Sequence, residues 1–196
     1  MNKKQIEIYL SKLSNIEDKN ISLEQYQIEG DLAAEFLLSA FEDINDKVVA
    51  DLGCGNGILG IGALLLGAKK VYFIDIDNKS IDIAMKNCEK IDNAEFLNID
   101  VNKFNTRVDT VVMNPPFGVQ NRKADKNFLL KAFEITENIY SIHKIGSEKF
   151  IEKICQENNF KVVNIIKKKF LIKKSYKFHT KAKYYADVGF WKIKKN

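Results

Sequence analysis

Apolar positions along this chain recur with two periods, and the switches between them mark out its elements. Residues 3–13 carry the spacing of a short amphipathic helix, and residues 31–41 repeat it with Leu32, Phe36, Leu37 and Ala40 on one face. From residue 48 onward, short apolar runs alternate with helical segments. Strands are predicted at 48–51, 71–75, 95–97 and 109–113, and helices at 58–66, 80–90 and 125–138. A strand at 140–143 and a helix at 147–158 follow. Two last strands, 160–168 and 184–192, have no helix between them. This order builds an α/β domain around a mainly parallel sheet covered on both faces, closed by an antiparallel hairpin.

Chemistry enters where the first strand gives way to a helix, at Asp51-Leu52-Gly53-Cys54-Gly55-Asn56-Gly57. Closely spaced glycines let a backbone turn sharply and approach a ligand, and free N–H groups at a helix start favour anionic groups. A nucleotide-like cofactor is therefore expected there. Asp75 ends the next strand about twenty residues on, the spacing at which an acid accepts ribose hydroxyls. Gly55, Gly57 and Gly60 also satisfy the dinucleotide pattern of nicotinamide and flavin enzymes, so the loop alone leaves that alternative open. Asp51, two residues before Gly53, makes the segment resemble the first motif of class I methyltransferases, in which this acid faces the cationic methionine part of the cofactor.

A second cluster, Asn114-Pro115-Pro116-Phe117, follows the strand at 109–113. Consecutive prolines fix φ and remove two backbone donors, so a stiff segment presents carbonyl oxygens without competing N–H groups. An amine on an aromatic base has its lone pair drawn into the ring and is a poor nucleophile. Two acceptors, the Asn114 side-chain oxygen and the Pro115 carbonyl, would take its N–H bonds and aim that lone pair, with Phe117 stacked on the base. A base must leave its helix to reach such a site. The bland alternative is a rigid turn with Phe117 in the core.

Composition sets the limits of these readings. A 196-residue chain with 45% hydrophobic and 29% charged residues suits one folded domain. No apolar run approaches the roughly 20 residues of a membrane-spanning helix, and the polar start lacks a signal-peptide core, so the cytosol is the expected compartment. Cys54, Cys88 and Cys155 are too few and too widely spaced for a disulfide framework or a zinc site, and no metal is expected. Net charge is +5, with eleven lysines in the last thirty residues, which suits a polyanion or a merely solvated face. His143 is expected to hydrogen-bond within the fold.

The tetrapeptide resembles the fourth motif of amino methyltransferases, which include adenine-N6, guanine-N2 and glutamine-N5 enzymes. A longer series, Leu23-Glu24-Gln25-Tyr26, residues 48–55, Asp75-Ile76-Asp77, Met113 through Gly118, Tyr140-Ser141-Ile142-His143-Lys144 and Ser175-Tyr176-Lys177-Phe178-His179, is similar to the methyltransferase-like family that makes N6-methyladenosine in small-subunit ribosomal RNA. The resemblance covers about residues 23–188. It implies a Rossmann-like class I methyltransferase fold: a seven-stranded mainly parallel sheet, a terminal antiparallel hairpin and an N-terminal helical cap, divided as a 1–45 extension and a 46–196 core. It implies S-adenosylmethionine as cofactor, held by Gln25, Ile28, Asp51, Gly53, Gly55, Asn56, Gly57, Ile58, Asp75, Asp100 and Asn114, with Asn114, Pro115, Pro116 and Phe117 at the target base. Eukaryotic relatives continue Gln25-Tyr26 with Pro-Thr. Here Gln27-Ile28 follows, so a contact at Ile28 comes from its backbone or its apolar side chain. Asp100 is placed for the cofactor's adenine amino group or, equally, as a helix N-cap. Lys173, Lys174, Tyr176, Lys177, Phe178 and His179 interleave cations with aromatic rings as an RNA-contacting loop would. A small zinc-containing activator protein is the implied partner. Guanine-N2 methylation, glutamine methylation and a non-catalytic role in ribosome assembly stand as alternatives.

Overall fold

The computed structural model describes residues 1–16, 28–116, 124–173 and 183–196. Its centre is a seven-stranded sheet: β1 (Val48–Leu52), β2 (Lys70–Asp75), β3 (Ala94–Asn98), β4 (Thr110–Met113), β5 (Asn138–Lys144), β6 (Phe160–Lys173) and β7 (Lys183–Lys195). Their spatial order is 3-2-1-4-5-7-6, with β7 the antiparallel strand between β5 and β6. From β1 the chain first moves outward through β2 to β3. It then returns to the other side of β1 as β4, which makes the β1/β4 boundary the topological switch point, where open α/β sheets hold ligands.

β1 and β4 are apolar almost throughout because helices cover both of their faces. Helices α1 (Lys3–Ser11), α2 (Gly30–Leu38), α4 (Ile58–Leu65) and α5 (Asn78–Cys88) pack on one face. There Ile6, Leu10, Phe36, Leu37, Ile61 and Ala84 meet Val49, Phe73 and Val112. The other face lies under α6 (Ala124–Ile135) and α7 (Glu148–Glu157), with Leu129, Ala132, Ile151 and Ile154 against Leu52, Met113 and Trp191. A capping box starts α1: Asn2 Oδ1 accepts from Gln5 N and Gln5 Oε1 accepts from Asn2 N, both at 2.9 Å. Two expected boundaries move. The helix expected over 125–138 stops at Ile135, where the Thr136 hydroxyl donates to Asp109 O (2.8 Å) and accepts from Asn138 N (3.2 Å), turning the chain into β5. The hairpin strands also run farther than residues 160–168 and 184–192.

A short helix, α3 (Phe41–Ile44), has no periodic signal and was not expected. Its Asp43 accepts the Tyr140 hydroxyl at 2.6 Å and lies 3.1 Å from Lys192 Nζ and 3.3 Å from Lys194 Nζ. Burial pushes this carboxyl up, but the Tyr140 bond and the two ammonium groups outweigh it and hold the pKa below 3.8. A depressed folded value means that the stabilisation is complete above the unfolded pKa and is lost as pH falls through the folded one. Asp43→Asn is therefore expected to be less stable than the parent at about pH 7, with a smaller gap at about pH 3. Urea midpoints at the two pH values measure it, and a gap independent of pH would contradict the charge assignment.

Among the described residues, no helix is long and apolar enough to cross a membrane.

Candidate active site

β1 and β4 are parallel neighbours, with Leu52 paired to Met113. The residues that follow, Gly53 and Asn114, therefore leave the sheet side by side at its C-terminal edge, on strands roughly 4.8 Å apart. The two clusters separated by sixty residues of sequence meet here.

The turn after β1 needs its glycines. Gly53, Gly55 and Gly57 all have left-handed φ, at 69°, 56° and 84°. A Cβ on Gly53 would lie 2.8 Å from Phe128 Cε1, so α6 lays an aromatic ring directly on the loop. A Cβ on Gly55 would meet nothing within 4 Å, which leaves that stretch of backbone open to a ligand. Gly53 N and Cys54 N both donate to Ile74 O, and Gly57 N to Cys54 O.

The start of α4 corrects one expectation. Two of its first-turn donors are already taken: Asp51 Oδ2 accepts Gly60 N at 2.8 Å, and Asn56 Oδ1 accepts Ile58 N at 3.3 Å. Asp51 is 1% exposed. Burial raises its pKa to about 7, the charge of Asp75 adds to the rise, and the Gly60 amide opposes it. A pyrophosphate would find a buried carboxylate in place of free amides, whereas a cationic cofactor would find a partner. The loop thus favours a cationic cofactor over a dinucleotide, although its glycine pattern matches both.

Asp75 closes β2 with Oδ2 on Gly55 N and Oδ1 on Asp77 N, both 2.9 Å, which ties the acid to the open stretch of the loop. Burial raises its pKa, and these amides oppose the rise. Asp100 is the N-cap of the turn at Val101–Lys103, its Oδ1 taking Asn102 N (2.8 Å) and Nδ2 (2.9 Å). Asn56 is nearly buried, its Nδ2 committed to Ser14 O and Asn15 Oδ1 at 3.2 and 3.4 Å. Ile28 and Ile58 are core residues. Asn56, Ile28 and Ile58 thus have their side chains engaged in the fold and offer mainly backbone to a cofactor. Asn98, which the sequence did not single out, donates to Asp75 O (3.1 Å) and Ile76 O (3.0 Å) and joins the ends of β2 and β3.

Asn114, Pro115 and Pro116 follow β4 outside any helix or strand, Pro115 buried and its neighbours half-buried. Phe117, Gln25, Lys174, Tyr176, Lys177, Phe178 and His179 lie outside the described residues, and Lys173 ends β6. The hairpin itself reaches the site's edge. β5 stops pairing at Lys144 with Val188, but β6 and β7 go on pairing from Lys169 with Asp187 to Lys173 with Lys183. They project about 17 Å past the end of β5, on the same C-terminal side of the sheet as Gly53 and Asn114. His143 is buried, with Ser141 Oγ 2.7 Å from its Nε2, and burial lowers its pKa to about 3, so it is a neutral core residue. All three cysteines are buried thiols.

The chain is similar to known proteins. The methyltransferase small domain family matches residues 27–164. The chain is 35% identical to the rRNA N(6)-adenosine-methyltransferase METTL5 of Danio rerio, with 97% of each covered. It is 33% identical to the Drosophila melanogaster protein of that name, over 97% of this chain and 95% of the other. A crystal structure from Pyrococcus horikoshii, described as a candidate RNA methyltransferase, superposes with a TM-score of 0.93 at 42% identity, covering 100% of this chain and 98% of that one. The fold is the Rossmann-like class I methyltransferase fold.

Proposed function

From a chain that belongs to the methyltransferase small domain family, among the relatives of the rRNA N6-adenosine methyltransferases, we propose a specific reaction: methylation of adenosine N6 in small-subunit ribosomal RNA, with the cytosol as compartment. The observation that carries it is the Leu52–Met113 register, which sets Asn114 beside the glycine loop. The cofactor is S-adenosylmethionine, and it supplies an electrophilic methyl group.

The residues present fit that cofactor. Asp75, held by Gly55 N and Asp77 N, is placed for ribose hydroxyls, Asp100 for the adenine amino group, and the bare backbone at Gly55 for close approach. Buried Asp51 favours the cationic end by charge while it holds α4 in place. On the acceptor side, the Asn114 oxygen and the Pro115 carbonyl take the two N–H bonds of the target amine and turn its lone pair toward the cofactor side of the cleft. Phe117 stacks on the extruded base. No strong base is needed, because the amine's proton becomes acidic only as the new bond forms and then passes to water. Lys173 ends the projecting strand β6, and Lys174, Tyr176, Lys177, Phe178 and His179 follow it in the sequence; their mix of cations and aromatic rings suits them to hold RNA.

The zinc-containing activator finds support in the other end of the sheet. Among the described residues β3 pairs only with β2 and stands half-buried at the sheet edge, with Ile76 (56% exposed) and Met85 (51%) on the neighbouring β2 end and α5. An open strand edge with apolar neighbours is suited to a partner that adds to it.

Mass spectrometry of nucleosides from ribosomal RNA incubated with the protein and labelled cofactor tests the reading. Label in N6-methyladenosine is expected. Label in N2-methylguanosine, or in glutamine of a protein, would replace it with one of the alternatives, and full activity from an isolated monomer would remove the need for a partner.

A further inference from the structure

Asn87, on α5, is in none of the motifs above, yet every polar atom of its side chain is used. Its Oδ1 accepts Ser14 N at 2.8 Å, and its Nδ2 donates to Ser14 O at 3.0 Å, so one side-chain amide pairs with both backbone groups of a single residue, as a neighbouring strand would. The same Nδ2 donates to Asn56 O at 2.9 Å. Asn56 in turn reaches Ser14 O and Asn15 Oδ1 through its own Nδ2. The stretch after α1, the centre of the glycine loop and the face of α5 are thereby tied in one knot.

The knot sits where the loop most needs restraint. Asn56 lies between Gly55 and Gly57, both in left-handed conformations that glycine adopts and leaves easily. On one side, Gly55 N is fixed by Asp75. On the other, the plane of the Asn56–Gly57 peptide is fixed by the bond from Asn87. A binding loop held in its bound shape loses less freedom on meeting its ligand.

We propose that Asn87 is a positioning residue of the cofactor site: without touching the cofactor, it sets affinity by locking the glycine loop to the N-terminal extension. This rests on the S-adenosylmethionine reading. Asparagine suits the task because aspartate would keep the acceptor for Ser14 N but lose both donated bonds and set a negative charge against two carbonyls.

Calorimetry with S-adenosylhomocysteine and steady-state kinetics on Asn87→Ala and Asn87→Asp test it. The expected result is a Kd and a cofactor KM raised roughly tenfold or more, with kcat at saturating cofactor within about threefold of the parent. A lower melting temperature with parental Kd would reduce Asn87 to a structural staple and overturn the proposal, as would a fall in kcat at unchanged KM. If Asn87→Ala does not fold, Asn87→Asp gives the same readout, and parental affinity there overturns it. Failure of the parent to bind S-adenosylhomocysteine would instead strike the cofactor assignment itself.

Discussion

Asn114→Ala is expected to slow methyl transfer by roughly 10²–10³-fold while folding and cofactor affinity stay near the parent's. The effect is large because the residue acts where the uncatalysed reaction is poor. An exocyclic amine shares its lone pair with the ring, and the contribution proposed for the site is to hold both N–H bonds so that the lone pair points at the reacting carbon. The Pro115 carbonyl keeps one acceptor in the variant, so alignment is halved and not abolished. Fold is spared because Asn114 is half-buried and lies beyond the last residue of β4, whose pairing with β1 and β5 involves backbone alone. Single-turnover transfer to ribosomal RNA, with calorimetry of S-adenosylhomocysteine alongside, measures both halves. Parental turnover would remove Asn114 from the mechanism, and loss of cofactor binding would move it to the other side of the cleft.

Gly60→Ala is expected to destabilise the protein strongly although the position lies inside a helix. Alanine in a helix is worth up to about 1 kcal/mol over glycine. Here a Cβ would stand 2.3 Å from Phe73 Cε1. Phe73 is fully buried and stacks on Phe96 with ring centroids 4.7 Å apart, so the ring has nowhere to go and α4 must lift off β2. Overpacking of this kind costs about 1–3 kcal/mol, more when backbone must shift. With the helix gain subtracted, a net loss of about 2 kcal/mol corresponds to a melting temperature roughly 4–8 °C lower. Cofactor affinity should fall as well, since Gly60 N is the donor that holds Asp51. A variant as stable as the parent would mean that α4 does not press on β2 as closely as this.

The glycine loop, Asp75 and Asn114 through Pro116 could be read from the sequence because each is a local exception to its surroundings: glycines where a helix should begin, an acid at the end of an apolar strand, prolines after one. That they meet was also legible, since parallel strands deliver their C-terminal ends to one edge. The direction of the side chains was not. Asp51 and Asn56 sit where a free helix start would bind an anion, and only the fold reveals that they take two of its donors. Asn87 and Asn98 carry no signal, because a lone asparagine in a helix or strand looks the same whether it faces solvent or a backbone seventy residues away. The hairpin was read short for a related reason. Lys167, Lys168 and Lys169 break the apolar alternation, yet an edge strand tolerates lysine, and such strands often carry it as protection against unwanted pairing.

The reach of β6 and β7 past the end of β5 gives the protein a measure of length. Their projection of about 17 Å equals roughly five steps of a stacked nucleic-acid strand at about 3.4 Å each. A free nucleoside can fill the cleft at Asn114 but cannot touch the arm as well. An RNA that spans both gains the second contact at high effective concentration, with the entropy of association already spent on the first. If the arm holds RNA as proposed, discrimination between a monomer and a folded RNA would follow from the extra rungs of a β-ladder, without any base being read along the way.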